Sequence, residues 1–406
     1  TLDLNFAAEK KLDPRITYRR TGPASYLNKF GKVVLVGGNV PRFDYDPTTR
    51  ESKGLLLEES RTNQMINSSD ITGSTVYNGT VTGDAATAPD GTTTADQFAA
   101  NSTNAMHRID VAFTSGQISN STAYSFSVFV KANGYDKLHI RYAGYNSDNH
   151  GLGYDLSDGT TFAGKFDGTS SLGAVTSSSM IAYPNGWYRC SFTFTTASDA
   201  ATGTSQILYY VSNSESTTNF AGDGSSGMYF WGAQFEVGAF PTSFIPTNGA
   251  TATRGADFAE IDGEDFTDFF NQTEGTINCA YWLGNDNSGM RVFQINDSNN
   301  SVIDIVAGSG SGSGGYGFVN TGGVAQANAG QSTTNASRLN TLHVTTLAYK
   351  ENDIAGINRN NRVLTNDTSA TLDGAYNRVT FYQGANNADQ LNGHLQRVQY
   401  YPKRLP

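Results

Sequence analysis

From about Ile71 to Pro246 the chain is written in short segments such as Tyr124–Val130 (YSFSVFV), Lys137–Tyr142 (KLHIRY), Trp187–Phe194 (WYRCSFTF), Ile207–Val211 and Met228–Val237. In several of them every second residue is apolar or aromatic, the period of a strand with one face on a core. Turn signals separate them: Pro89-Asp90-Gly91, Asn133-Gly134, Ser157-Asp158-Gly159, Pro184-Asn185-Gly186 and Gly222-Asp223-Gly224. Alternating strands joined by tight polar turns predict an antiparallel sandwich of the jelly-roll kind.

A break falls at Pro241–Pro246 and Thr247-Asn248-Gly249, followed by the acidic stretch Asp257–Phe270. Beyond it the strand pattern resumes at Gly275–Trp282, Arg291–Ile295, Leu342–Tyr349, Asn377–Tyr382 and Gly393–Tyr401, interrupted by the low-complexity run Gly308–Gly315. Residues 1–66 differ: they carry more charge, Pro14, Pro23, Pro41 and Pro47, and only short apolar runs at Val33–Val36 and Leu55–Leu57. The expected organisation is therefore all-β, with two antiparallel β-sandwich (jelly-roll) domains at 67–248 and 249–406. An extended N-terminal arm, 1–66, would bury too little by itself and would dock on a neighbouring domain or subunit.

Composition narrows the function classes. Of 406 residues 44 are glycine, 12% are aromatic and only 16% charged, which suits strands and turns over helices. The net charge is -10 and no Lys/Arg cluster is present, so a nucleic-acid ligand is not expected. No stretch has the length of a membrane-spanning helix. Cys190 and Cys279 lie far apart in strand-like stretches with no metal-ligand spacing, and read as two buried free thiols.

Specific stretches carry a resemblance. Leu12–Arg20 (LDPRITYRR), Pro41–Asp46 (PRFDYD) and Lys53–Asn63 (KGLLLEESRTN) resemble a segment of phage structural and tail-fibre-like proteins. Asn185–Ser191, Gly222–Glu236 and Phe240–Pro246 resemble the carbohydrate-binding-module-like sandwich that follows it there. The closing Leu391–Leu405 is similar to the last strand of laminin-G-like, concanavalin-A-type sandwiches, with Gly356–Asn361 where such domains carry a hairpin. The resemblance implies a virion-surface protein assembled with other virion proteins. Asp13, Pro14, Arg15, Arg42, Asp44, Glu58, Glu59 and Arg61 mark the assembly arm.

Candidate chemistry is sparse. Glu260-Ile261-Asp262-Gly263-Glu264 places carboxylates at alternate strand positions, a spacing that suits retaining glycoside hydrolysis, but Gly263 and the flanking Asp257, Asp265 and Asp268 fit a solvated acidic linker better. No nucleophile motif accompanies the five histidines, so no catalytic residue is assigned. No cofactor is expected; a structural calcium is weighed as an alternative, with Asp155, Asp158, Asp223 and Glu236 as candidate ligands, but Asp-Gly pairs are ordinary turn residues. A glycan needs an aromatic platform edged with polar groups, and Tyr135, Arg141, Tyr142, Tyr145, Asn146, Asp148 and His150 offer one. The competing reading is that these alternating tyrosines line the core, as Trp187, Trp231 and Trp282 are expected to.

The function expected is host-glycan attachment by a non-enzymatic, homo-oligomeric fibre, spike or decoration subunit, with a trimer as the first choice. Purely structural capsid decoration and glycan depolymerisation remain the alternatives.

Overall fold

The structure, a computed structural model, describes residues 1–113, 117–166, 172–285, 289–297, 300–307, 315–329, 339, 341–358, 363–372, 374–381 and 390–406. The glycine-rich run 308–314 and residues 359–362 lie outside them. Among the described residues the chain is all-β, with two short α-helices, and antiparallel sheets stack into two sandwiches. Among these residues no helix is long and apolar enough to cross a membrane.

One sandwich is built from the middle of the chain. Its six-stranded sheet runs Ser177–Ala182, Trp187–Thr195, Ala123–Asn133, Gly227–Val237, Thr93–Ala100, Gly79–Thr87. The facing sheet runs Thr160–Phe162, Asn149–Asp155, Lys137–Ala143, Gln206–Ser212, Ala105–Ala112, with Thr75–Tyr77 and Asn219–Phe220 both pairing to the last of these. Alternation sends Tyr124, Phe126, Val128 and Val130 inward against Leu138, Ile140 and Tyr142. The core is an aromatic one, with Tyr142 and Phe194 ring centroids 4.5 Å apart and Tyr124 and Phe235 4.8 Å apart.

The other sandwich is discontinuous in sequence. Its eight-stranded sheet runs Val363–Asp367, Ile354–Asn358, His343–Lys350, Glu274–Leu283, Gly393–Tyr401, Ser52–Leu57, Phe43–Tyr45, and Leu2–Leu4 also lies along Gly393–Tyr401. The facing sheet begins with Thr17–Arg19 beside Phe258–Asp262 and ends at Val324–Ala329. Leu2, Leu4, Phe6, Leu55 and Leu57 are buried in its core. The expectation of an extended arm is corrected by this. The short apolar runs of the first 57 residues find their burial inside the same chain, and each fully buried aliphatic or aromatic side chain there contributes roughly 1.5–3 kcal/mol.

The middle sandwich is thus an insertion in the terminal one. The outgoing strand Arg61–Asn63 and the returning strand Ala252–Arg254 pair side by side as its stem. A charged network locks this stem. Arg42 Nη1 donates to Glu58 Oε2 at 2.6 Å and to Ser243 Oγ at 2.7 Å, while its Nη2 donates to Asp257. Arg254 adds an ion pair to Glu58 at 3.1 Å, and the Tyr18 hydroxyl donates to Asp257. Burial alone would raise the Glu58 carboxyl, but the guanidiniums of Arg254 and Arg42 and the bonds from Ser243 hold it well below the usual carboxylate range.

The hairpin Ala24–Leu27/Val33–Val36 leaves the terminal sandwich and lies on the outer face of the six-stranded sheet, where Leu27 and Val33 pack with Phe129, Trp187, Trp231 and Phe244. Trp187 and Trp231 are therefore core residues. Trp282 is a correction: its neighbours Tyr281 and Leu283 take the inward positions, leaving Trp282 half-buried on the outer face of the eight-stranded sheet with Lys53 Nζ 5.3 Å from its ring centroid.

Apart from Pro14, the marked arm residues bond within the chain. Asp13 and Arg15 pair with each other at 2.8 Å, with Pro14 in the turn between them. Glu59 pairs with Arg61 and accepts from Asn392 Nδ2 at 2.8 Å. Arg61 also stacks on Phe240, 4.6 Å from its ring centroid.

Candidate functional site

The candidate tyrosine platform does not form, and Tyr142 follows the competing reading as a core residue. In Lys137–Ala143 the residues 138, 140 and 142 face inward, so Tyr142 is fully buried and its hydroxyl meets Ser205 Oγ at 3.0 Å. His150 is buried beside it, stacked on Phe194 at 4.7 Å, with Nε2 2.9 Å from Asp148 Oδ1 and Nδ1 2.9 Å from the Ala174 carbonyl. Asp148 also accepts from the Ala197 amide at 2.9 Å. Tyr135 leans edge-on against Phe220 at 4.9 Å. Arg141 points to the opposite face of the sheet, and only Tyr145 and Asn146, in the turn Tyr145–Ser147, are exposed. The period of two that made the tyrosines conspicuous is the same period that buries them.

The four candidate calcium ligands do not converge either. Asp155 pairs with Lys137 Nζ at 2.8 Å, and Asp158 accepts from the Thr160 amide at 3.0 Å. Asp223 accepts from the Ser226 amide at 2.6 Å, while Glu236, fully buried, takes the Thr242 amide and hydroxyl at 2.8 and 2.7 Å. Three of the four are turn-closing or cross-strand partners and the fourth braces a loop. Among the described residues no group of three or more His, Cys, Asp or Glu is arranged to hold a metal.

The acidic motif also separates. Glu260 and Asp262 belong to the strand Phe258–Asp262, but Glu264 lies in the short helix Gly263–Thr267. Gly263, at φ +61°, makes the turn between them. Glu260 is taken up by Arg19 at 3.0 Å.

What the fold does build is a cleft where the hairpin, the middle sandwich and the edge of the terminal sandwich meet, enclosing about 210 Å³. Its aromatic walls include Tyr26 from the hairpin, Tyr45 from Phe43–Tyr45, and Tyr183, which follows the strand Ser177–Ala182. All three are half-buried. Tyr183 meets Phe129 edge-on at 5.0 Å, and burial pushes its hydroxyl up to about 12. The turn after it, with Asn185 and Gly186 at φ +62° and +78°, reverses the chain so that Tyr183 and Trp187 share one end of the sheet.

Charged groups from distant parts of the chain converge on the same cleft. Asp44 accepts the Leu27 amide at 2.6 Å with one oxygen and meets His394 Nε2 at 2.8 Å with the other. Lys53 pairs with Asp46 at 3.1 Å. Arg189, in Trp187–Thr195 and directly opposite Phe129, lies 5.5 Å from that ring centroid and donates to the Thr242 carbonyl at 2.7 Å and to Ser127 Oγ at 2.9 Å. A recess of this size, with aromatic faces and a few fixed donors and acceptors, can hold one or two rings of an amphipathic ligand.

Of the lining residues, sequence reasoning singled out Asp44 and Glu58, both for another role. Tyr183 stands next to a recognised turn signal, Pro184-Asn185-Gly186. No local signal points to His394, whose partner lies 350 residues away.

No protein-family model matches the chain, and no curated protein matches it. Among solved structures, the chain is similar to domains LG4-5 of the mouse laminin α1 chain, at 12% identity over 73% of this chain and 85% of that one, with a TM-score of 0.23. The LG1-3 region of the laminin α2 chain gives 11% identity over 73% and 65%, with a TM-score of 0.25. The tandem CBM22-1–CBM22-2 domains of Paenibacillus barcinonensis Xyn10C give 8% identity over 81% and 93%, with a TM-score of 0.25.

Proposed function

We propose that this chain is a carbohydrate-binding protein of a bacteriophage surface, and that the glycan is held in the cleft between the hairpin and the two sandwiches. The observation that carries the reading is the cleft's lining: three half-buried tyrosines beside Asp44, Lys53, Arg189 and His394. A sugar ring offers apolar C–H faces that stack on tyrosine and hydroxyls that need fixed donors and acceptors, and this lining supplies both.

The mechanism is adsorption without chemistry. Two carboxylates line the cleft, and both are already engaged, Asp44 in a hydrogen bond with His394 and Glu58 in ion pairs with Arg42 and Arg254. Glycoside hydrolysis needs one carboxyl free to give a proton and a second free to act as nucleophile or base. What supports the phage part of the reading is the resemblance of residues 12–20, 41–46 and 53–63 to phage structural proteins. On a virion, a homo-oligomer such as a trimer would present several weak sites together and gain avidity.

The test is binding of the purified protein to a glycan array and to intact host cells, with Tyr26→Ala and Tyr183→Ala alongside. Saturable binding that falls about tenfold or more in either variant is the expected result. A folded protein that binds no glycan would leave the purely structural decoration reading in its place, and release of reducing sugar would favour the depolymerase.

A further inference from the structure

The ionisable groups around the cleft have ionisable partners except at one place. Lys53 has Asp46, His394 has Asp44, and Glu58 has Arg42 and Arg254. Arg189 has no carboxylate partner among the described residues. Its hydrogen bonds go to two neutral acceptors, Ser127 Oγ and the Thr242 carbonyl, and the Phe129 ring lies under the guanidinium. Those contacts fix the plane of the group without cancelling its charge. The hydroxyl of Tyr183 sits beside it, a second donor on the same wall. A half-buried guanidinium held in one plane by its two Nη2 bonds and left without an anion has Nη1 to offer a carboxylate as a single charge-assisted hydrogen bond.

We infer that the cleft selects an acidic sugar, one whose carboxylate is received by Arg189 and Tyr183 while its ring packs against the tyrosine walls. The inference rests on the carbohydrate reading above and adds the charge class of the ligand. Attraction at long range cannot supply this preference, because the chain carries a net charge of -10 and Asp44 and Asp46 lie close to Tyr183. The selectivity is local, made by one oriented cation at short range.

The experiment uses the full chain and matched pairs of probes: oligogalacturonate, oligoglucuronate and sialyl-oligosaccharides, each against its own carboxyl-reduced, neutral counterpart. Affinities are measured by calorimetry for the wild type, Arg189→Gln, Arg189→Lys and Tyr183→Phe, with a thermal melt of each to establish folding. The wild type is expected to favour at least one acidic member over its neutral counterpart by about tenfold or more. Arg189→Gln abolishes that preference while neutral sugars still bind, and Arg189→Lys keeps part of it. Tyr183→Phe lowers the preference without Arg189 being touched, which keeps the test decisive if Arg189→Gln does not fold. Equal affinity for every acidic and neutral pair, or a preference unchanged in Arg189→Gln, overturns the assignment of charge class and leaves carbohydrate binding standing. Failure of the folded wild type to bind any probe or any glycan on the array overturns the carbohydrate reading, and the assignment of charge class with it.

Discussion

Arg42 and Asp257 stand 215 residues apart in the chain and form an ion pair whose two side chains are both fully buried. The pair ties the segment that precedes the middle sandwich to the segment that follows it. Removing one partner leaves the other charged and out of water, which costs far more than the pair itself contributes. Arg42→Met should therefore lower the unfolding free energy by about 3–5 kcal/mol in urea titrations. Arg397→Ala breaks a pair whose members are 41% and 49% exposed, and should cost less than about 1 kcal/mol. Similar costs for the two variants would contradict the locking role of the stem.

Acid should weaken the fold in two stages. His139 is fully buried, accepts the Lys165 amide at Nδ1, and has its pKa lowered from 6.5 to about 4 by burial. Between these values the unfolded chain binds the extra proton, so stability is complete above about pH 6.5 and declines as pH falls toward 4, by at most about 3 kcal/mol. Glu58 has a depressed folded-state pKa, so its contribution is present above its ordinary value of 4.5 and is lost as pH falls below it. Unfolding free energies at pH 7.5, 6.0 and 4.8 isolate the first stage. His139→Gln should flatten that slope, and an unchanged slope would reassign it to other groups.

Phe6 is only 1% exposed and its ring meets Phe381 edge-on at 6.3 Å. Phe6→Ala should destabilise by about 3–5 kcal/mol, as deletion of a core aromatic does. Phe30, at the tip of the hairpin and 71% exposed, is the control, and Phe30→Ala should stay within about 0.5 kcal/mol. A near-neutral Phe6→Ala would mean that the first residues do not pack in the terminal sandwich.

Cys190 and Cys279 are both unpaired and buried, and burial pushes both thiols far up. They belong to the two separate cores. A thiol reagent at pH 8 should label neither in the native protein and both in denaturant, because the reactive thiolate is withheld by packing. Prompt labelling of one site would show that its sandwich opens locally.

Much of the fold was legible in the residues alone. The alternation in Tyr124–Val130 and Trp187–Phe194, and the turns at Asn133-Gly134 and Pro184-Asn185-Gly186, determine that the chain is all-β and where its middle strands begin and end. These are local properties, set by side-chain period and by positive-φ backbone. Even Leu2-Asp3-Leu4-Asn5-Phe6 alternates. Its prolines and charged neighbours made the segment look like an arm, because a short strand carries no sign of which sheet it will join.

The sequence also determined that tyrosines and acidic residues would be plentiful, but not where each would face. A period of two assigns residues to two sides of a strand and leaves open which side is the core. Covering sheets decided that Tyr142 is buried, and the hairpin decided that the outer face of the six-stranded sheet, with Phe129 and Arg189, becomes the wall of a cleft. The pairings of Arg42 with Asp257 and of Asp44 with His394 were decided by tertiary structure alone. Contacts across hundreds of residues exist only once the middle sandwich has been inserted and the terminal sheets have closed around the first 57 residues, and no local pattern encodes that closure.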